Sequence, residues 1–378
     1  MGTDNLKLLN DDMYLGERHA RIRDHRYDDL IDAYVTTVNR LFPNAMLHWE
    51  DFGASNARRI LNRYADQVCT FNDDMQGTAA VVLAAVLSAV QAAGTRIRDQ
   101  RVVIYGAGTA GLGIADILRD QMIREGLSAQ EATRRFYPLG SQGLLVDDQP
   151  RLRDFQRPYA HPRAEVTEWE EGHRGIGLAE VVSRVRPTLL IGTSAQAGAF
   201  TEAIVRDMSA HTERPIILPL SNPTSLCEAL PADLVSWTNG RVLTATGSPS
   251  QPVPYAGDTY QIAQANNALV FPGLGLGVIV AKAKRISDQM IAAGAEAVAR
   301  MSDATANGAP LLPPMTDLRM VSAAVGIAVA QAAADEGLAQ AELTDPIQQI
   351  HAAMWRPEYP HIELERTGFT DVDHHNEG

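Results

Sequence analysis

The strand-turn-helix signature at residues 101–115 limits the possible folds of this chain more than any other feature. Arg101-Val102-Val103-Ile104-Tyr105 is a short β-branched run suited to a buried strand, and it feeds straight into Gly106-Ala107-Gly108-Thr109-Ala110-Gly111. That hexapeptide fits G-x-G-x-x-G. In such a turn the first glycine permits a tight bend, the second lets backbone approach a pyrophosphate, and the third allows close helix-strand packing; the helix N-terminus then faces the anion. Leu112-Gly113-Ile114-Ala115 continues as a helix. Alone, the pattern is weak and also describes a turn that merely packs a helix. Its placement after a strand and before a helix favours a dinucleotide site. Gly106, Gly108, Thr109, Ala110 and Gly111 are therefore candidate cofactor-binding residues.

Further strands are expected at Phe136 to Leu139, Thr188 to Ile191, Pro215 to Leu220 and Arg241 to Ala245, with helical patterns between them. This βαβ repetition predicts an α/β fold with a Rossmann-type, doubly wound parallel sheet. Arg151 to Arg174, rich in Pro, Glu and Arg, is expected to be a surface excursion. A fold that prefers NAD places an acid at the end of the strand after the glycine turn, where it bonds the ribose hydroxyls. Here that strand ends Pro138-Leu139-Gly140-Ser141. No carboxylate stands there to repel a 2′-phosphate, and Arg134, Arg135 or another arginine is free to approach it, so NAD and NADP both remain open.

Upstream, a helix is expected over Tyr27 to Leu41, a strand over Ala45 to Trp49, a helix over Asn56 to Tyr64 and a strand over Val68 to Phe71. The two strands end in Glu50-Asp51 and Asn72-Asp73-Asp74. Carboxylates collected at strand ends are hard oxygen donors suited to Mg²⁺ or Mn²⁺. The alternative is acidic capping of the helices that follow. A long Ala/Val/Leu helix from Gln76 to Ala93 reads as buried, its apolar part short of the ~20 residues of a membrane span. Ser221-Asn222-Pro223-Thr224 and Gln264-Ala265-Asn266-Asn267 follow strands or precede Phe271-Pro272-Gly273. Asparagine both donates and accepts, so Asn222 and Asn266 are candidates to read a hydroxy acid or a nicotinamide amide, although Asn-Pro is often only a turn.

Composition narrows the function classes. A formal net charge of −13 disfavours sequence-independent nucleic-acid binding. The cysteines, Cys69 and Cys227, form no disulfide or metal pattern, and the N-terminus shows no secretory signal, so a reducing cytoplasm is expected. Lysine occurs only at Lys7, Lys282 and Lys284. The residues Thr370 to Gly378 are expected to be a disordered polar tail.

Read in order, Glu50-Asp51-Phe52, Thr70 to Thr78, the Gly106 turn, Ser221-Asn222-Pro223-Thr224, Ala245-Thr246-Gly247-Ser248-Pro249 and Phe271-Pro272-Gly273-Leu274-Gly275 resemble the malic enzyme family closely, from Gly2 to about Tyr359. The resemblance implies oxidation of malate by hydride transfer to NAD or NADP, then decarboxylation to pyruvate with Mn²⁺ or Mg²⁺. It implies that Glu50, Asp51 and Asp74 ligate the metal, that Asp73 orients the catalytic base, and that Asn222 and Asn266 contact substrate or nicotinamide, with Asp74 and Asn222 also near the cofactor. Family members carry the basic lysine and acidic tyrosine in a domain upstream of the Gly2-Thr3-Asp4-Asn5 segment. The chain is thus expected to lack that N-terminal domain and to have little or no oxidative decarboxylation activity alone. The expected division is 1–73 with 267–335 as a smaller α/β metal- and substrate-binding domain, 74–266 as the Rossmann-like domain, and 336–378 as a helical extension and tail. Alternatives are a malolactic enzyme releasing lactate and a non-catalytic nucleotide- or metal-binding module. Malate is the expected partner, with no nucleic acid, no membrane and possible homo-oligomers.

Overall fold

The computed structural model describes residues 2–169, 175–359 and 362, with only the backbone of Ala54 and Ser55. Its helices begin with α1 Leu6–Leu9, α2 His25–Leu41, α3 Ala54–Tyr64, α4 Thr78–Ala92, α5 Thr109–Arg124, α6 Ala129–Thr133 and α7 Arg163–Val166. They continue with α8 Leu178–Val185, α9 Glu202–His211, α10 Pro231–Trp237, α11 Phe271–Ala281, α12 Asp288–Arg300, α13 Leu318–Asp335 and α14 Pro346–Ala353. The strands are β1 Leu47–Trp49, β2 Thr70–Asn72, β3 Val102–Tyr105, β4 Phe136–Gly140, β5 Gly143–Leu144 and β6 Leu189–Gly192. After them come β7 Ile216–Pro219, β8 Leu243–Thr246, β9 Val253–Tyr255, β10 Asp258–Tyr260 and β11 Ala263–Gln264.

Seven strands form one sheet in the order β11-β8-β7-β6-β3-β4-β5. The run at 101–105 becomes an interior strand, parallel to β4 on one side and β6 on the other, with Tyr105 opposite both Leu139 and Gly192. The chain winds outward from β3 to β4, then crosses back to β6, β7 and β8. Strand order therefore reverses between β3 and β6, and the carboxyl ends there splay into a crevice. This is the Rossmann-type, doubly wound α/β arrangement that the sequence predicts, with β5 pairing antiparallel to β4 at one edge.

β1 and β2 form a separate parallel pair over a small core of Val35, Leu47, Trp49, Ile60 and Tyr64. After this pair the chain enters α4, whose residues from Ala79 to Val86 are all buried. It is apolar all round because α5 and α12 enclose it, and its alanines let those helices approach closely. A five-residue π-helical turn, Asp73–Gly77, precedes α4, and the combined Asp73–Ala92 helix reaches 20 residues. Counted from Asp73, the helix does have the length of a membrane span, longer than its apolar part alone suggested. Its most apolar window is 72% buried inside the fold, as a core helix requires. Met315–Asp335 passes the same length and apolarity test, its window 50% buried.

Three features differ from the sequence reading. The β9–β10 hairpin turns through Ala256 and Gly257, both at positive φ, without an Asn-Gly signal. β5 and β11 span two residues each, too short to show a period. The stretch from Arg151 is not a plain surface excursion: Tyr159 and Val166 are buried, and the Tyr159 hydroxyl donates to Asp116 at 2.8 Å. Its last part, Glu170 to Arg174, and the tail Thr370 to Gly378 lie outside the described residues.

Candidate metal and dinucleotide site

The parallel pairing of β1 with β2 sets Trp49 opposite Asn72, so the residues that follow each strand meet. Glu50, Asp51 and Asp74 place carboxylate oxygens within 4.8 Å of one another. The local backbone makes this possible. Asp51 adopts φ 58°, a left-handed conformation that aspartate tolerates better than most residues. Asn72 accepts from the Met75 N–H at 2.9 Å, and Gln76 accepts from the Asn72 N–H at 2.9 Å, so these two side chains hold the wide π turn that carries Asp73 and Asp74.

Asp73 lies deeper, 3% exposed. Asn267 donates to its Oδ2 at 2.6 Å, while Oδ1 is buried without a hydrogen-bond partner, as is Asp74 Oδ2. Burial above all, then the neighbouring Glu50 carboxylate and the charge of Asp74, pushes the Asp73 carboxyl up to about 7; the Asn267 amide opposes this. Asp74 is also raised, by burial and by Glu50, against the N–H groups of Phe52 and Asp51. Crowded carboxylates with unpaired buried oxygens are costly alone. A divalent cation relieves that cost, and an all-oxygen donor set fits Mg²⁺ or Mn²⁺.

The Asp73 shift has a testable sign. Its folded value lies above the ordinary 3.8, so the folded state binds the extra proton, and stability falls as pH rises from about 4 to about 7. Asp73→Asn removes that titration. In melts with a chelator present, the parent is expected to lose stability relative to this variant between pH 5 and pH 7; a pH-independent difference would contradict the assignment.

The second half of the site is the crevice at β3 and β6. Gly106 takes φ +122°, and a Cβ there would stand 2.5 Å from the Thr193 carbonyl. A Cβ on Gly111 would meet the Gly106 oxygen at 2.1 Å, whereas one on Gly108 would find nothing within 4 Å. Two of the glycines are thus demanded by the fold itself. The open side of Gly108, at the uncapped N-terminus of α5, suits an approaching ligand. Thr109 and Ala110 open the first turn of α5 there, with Thr109 largely buried. A cavity of about 480 Å³ runs from Gly106 to Gly108 past Gly140, Ser141, Arg151 and Arg153 to Ser194 and Gln196. Among the arginines, Arg151 and Arg153 line it, not Arg134 or Arg135. Gln156 donates to the Ala107 carbonyl at 2.8 Å, so the 151–169 stretch forms one wall.

Asn222 follows β7 across a cis bond to Pro223 and accepts from the Ser248 hydroxyl at 2.6 Å. Asn266 uses its side-chain oxygen to accept from the Ala268 N–H at 2.9 Å. Among the described residues, hydrogen bonding brings Asn267, the neighbour not singled out from sequence, to the acidic cluster. His48 was also unread. Its Nε2 lies 3.9 Å from Asp73 Oδ1 and 4.0 Å from Glu50 Oε2. The signal was available: two positions before Glu50, on the same face of the strand. Lys7, Lys282 and Lys284 are all exposed.

The sequence comparisons agree with this geometry. Residues 75–334 match the family model described as malic enzyme, NAD binding domain, and residues 1–65 match that described as malic enzyme, N-terminal domain. The chain is 56% identical over 363 residues to "NAD-dependent malic enzyme 3" of Bacillus subtilis, covering 96% of this chain and 64% of that protein. It is 45% identical over 358 residues to a malolactic enzyme of Lactiplantibacillus plantarum, covering 95% of this chain and 65% of that one. A crystal structure of malic enzyme from Pyrococcus horikoshii superposes with TM-score 0.69 at 26% identity, covering 88% of this chain and 70% of that chain. The chain thus spans under two thirds of the length of these curated relatives. With the glycine turn, the paired acidic strand ends and both family models in one chain, it belongs to the malic enzyme family.

Proposed function

We propose that this chain carries the metal- and dinucleotide-binding machinery of an NAD-dependent malate oxidoreductase that decarboxylates its substrate. The observation that carries this reading is the convergence of Glu50, Asp51 and Asp74 within 4.8 Å beside a buried Asp73 with an unpaired oxygen. Glu50, Asp51 and Asp74 would hold Mn²⁺ or Mg²⁺, which supplies polarisation of the substrate's C2 oxygen and stabilisation of enolate charge. Asp73 holds one oxygen on Asn267 and would leave the other to orient the group that takes the C2 hydroxyl proton. Gly106, Gly108 and the first turn of α5, with Thr109, Ala110 and Gly111, receive the pyrophosphate. Asn222 and Asn266 stand as the amide donors for substrate and nicotinamide.

NAD is favoured because the related Bacillus subtilis protein is named NAD-dependent. Arg151 and Arg153 beside Gly140 keep NADP as a second cofactor to be titrated. The similarity to a malolactic enzyme supports a second outcome, lactate without net NADH, which product analysis separates from pyruvate with NADH.

Gly108→Ala tests the dinucleotide half cleanly, because the added Cβ enters open space and strains nothing. The variant is expected to melt like the parent yet bind NADH about tenfold more weakly, a loss of about 1.4 kcal/mol. Equal NADH fluorescence titrations for parent and variant would count against pyrophosphate binding at this turn.

A further inference from the structure

Outside the metal cluster and the glycine turn lies one carboxyl group that neither uses. Glu228 is fully buried, and among the described residues no cation forms an ion pair with it. Its side chain reaches from the segment after β7 into the space between the ends of β6 and β7. Oε1 accepts from the Ser194 N–H and the Ser194 hydroxyl, each at 2.8 Å, and from the Ser221 hydroxyl at 2.5 Å. Ser221 completes a bridge by accepting from the Ala195 N–H at 2.8 Å, and Ser194 accepts from the Gln196 N–H at 3.1 Å.

The two loops joined in this way form one side of the crevice. Ser194 and Gln196 line the cavity opposite Gly106 to Gly108, and the Tyr105 hydroxyl donates to Gln196 Oε1 at 2.9 Å. Ser221 immediately precedes Asn222. Space is reserved for the brace: a Cβ on Gly192, at the end of β6, would lie 2.5 Å from Glu228 Cδ. Ala195 meanwhile holds φ 55°, a left-handed conformation uncommon for a residue with a Cβ. A buried carboxyl group is an expensive way to stabilise a loop, since an apolar side chain would fill the same volume without desolvation. What it supplies here is a single oxygen that fixes three donors from two separate loops.

We propose that Glu228 is a positioning residue that locks the loops after β6 and β7 in register, so that Ser194–Gln196 and Asn222 are presented to the nicotinamide-side half of the bound dinucleotide. This rests on the reading of the β3–β6 crevice as the dinucleotide site. Glu228→Ala leaves the Ser194 and Ser221 donors buried and unmatched and releases both loops. Glu228→Gln keeps an oxygen in place for the same donors.

The test measures NADH affinity by fluorescence at a temperature well below the melting transition of every variant. Glu228→Ala and Ser221→Ala are expected to weaken NADH on the order of tenfold, and Glu228→Gln to recover most of that loss. Val235→Ala, a core truncation in α10 at a residue that neither lines the cavity nor bonds to Glu228, serves as a control that lowers stability without moving NADH affinity. Parent-like affinity in Glu228→Ala, or in Ser221→Ala should the first fail to fold, overturns the proposal, as does an equal loss in Val235→Ala. A parent chain that binds no NADH at all would instead remove the underlying dinucleotide reading.

Discussion

Mn²⁺ affinity, measured by isothermal titration calorimetry, is expected to fall on the order of 100-fold in Asp74→Asn, while the metal-free protein becomes more heat-stable. The two signs come from one cause. Asp74 is pushed upward by burial and by the charge of Glu50, and one of its oxygens is buried without a partner. Without metal, neutralising it relieves repulsion among Glu50, Asp51, Asp73 and Asp74. With metal, it removes one of three carboxylates that converge within 4.8 Å. A site that only capped the following helix would behave oppositely, since loss of an acidic cap destabilises and leaves Mn²⁺ binding untouched. A variant that is less stable and binds Mn²⁺ as well as the parent would therefore establish capping as the role of Asp74.

Gly111→Ala should damage both the packing and the ligand side of the dinucleotide half. The new Cβ would stand 2.1 Å from the Gly106 oxygen, a backbone atom, and 2.8 Å from Thr193 Oγ1. The backbone oxygen cannot swing aside, and Thr193 Oγ1 can turn away only by giving up its 2.9 Å hydrogen bond to that same oxygen, so the turn must open or α5 must move off β3. Overpacking of this kind costs roughly 1–3 kcal/mol, and the opened turn no longer aims the first N–H groups of α5 at one point. Both the melting temperature and NADH affinity should drop, the latter by about 100-fold. The contrast with Gly108→Ala, where only affinity moves, separates the packing role of one glycine from the ligand role of the other. Unchanged melting in Gly111→Ala would mean that α5 sits farther from β3 than described.

How much of this was readable in advance depends on the distance over which each contact forms. The β-branched run at 101–105, the glycine turn and the acidic strand ends are local patterns, and each appears in the fold within a few residues of its expected bounds. What joins them is not local. Asn267 reaches Asp73 across 194 positions, and Gln156 reaches Ala107 across 49. No periodicity marks either pair. Glu228 sits in a Cys-Glu-Ala stretch with nothing to distinguish it from a surface acid, because its meaning lies in the loops of two neighbouring strands. His48 was hidden differently: in an apolar strand its ring reads as core, and it does pack against Phe71 and Phe271 while its nitrogen faces the carboxylates.

The π turn at Asp73–Gly77 makes chain length itself a part of the site. Each residue of a regular helix advances the chain by about 100° around the axis and about 1.5 Å along it. Deleting one residue between Asn72 and Thr78 would thus act as a rotation, swinging Asp73 and Asp74 out of phase with Glu50 and Asp51 while α4 stayed buried where it is. Between these two residues, insertions and deletions are as consequential as the loss of a ligand.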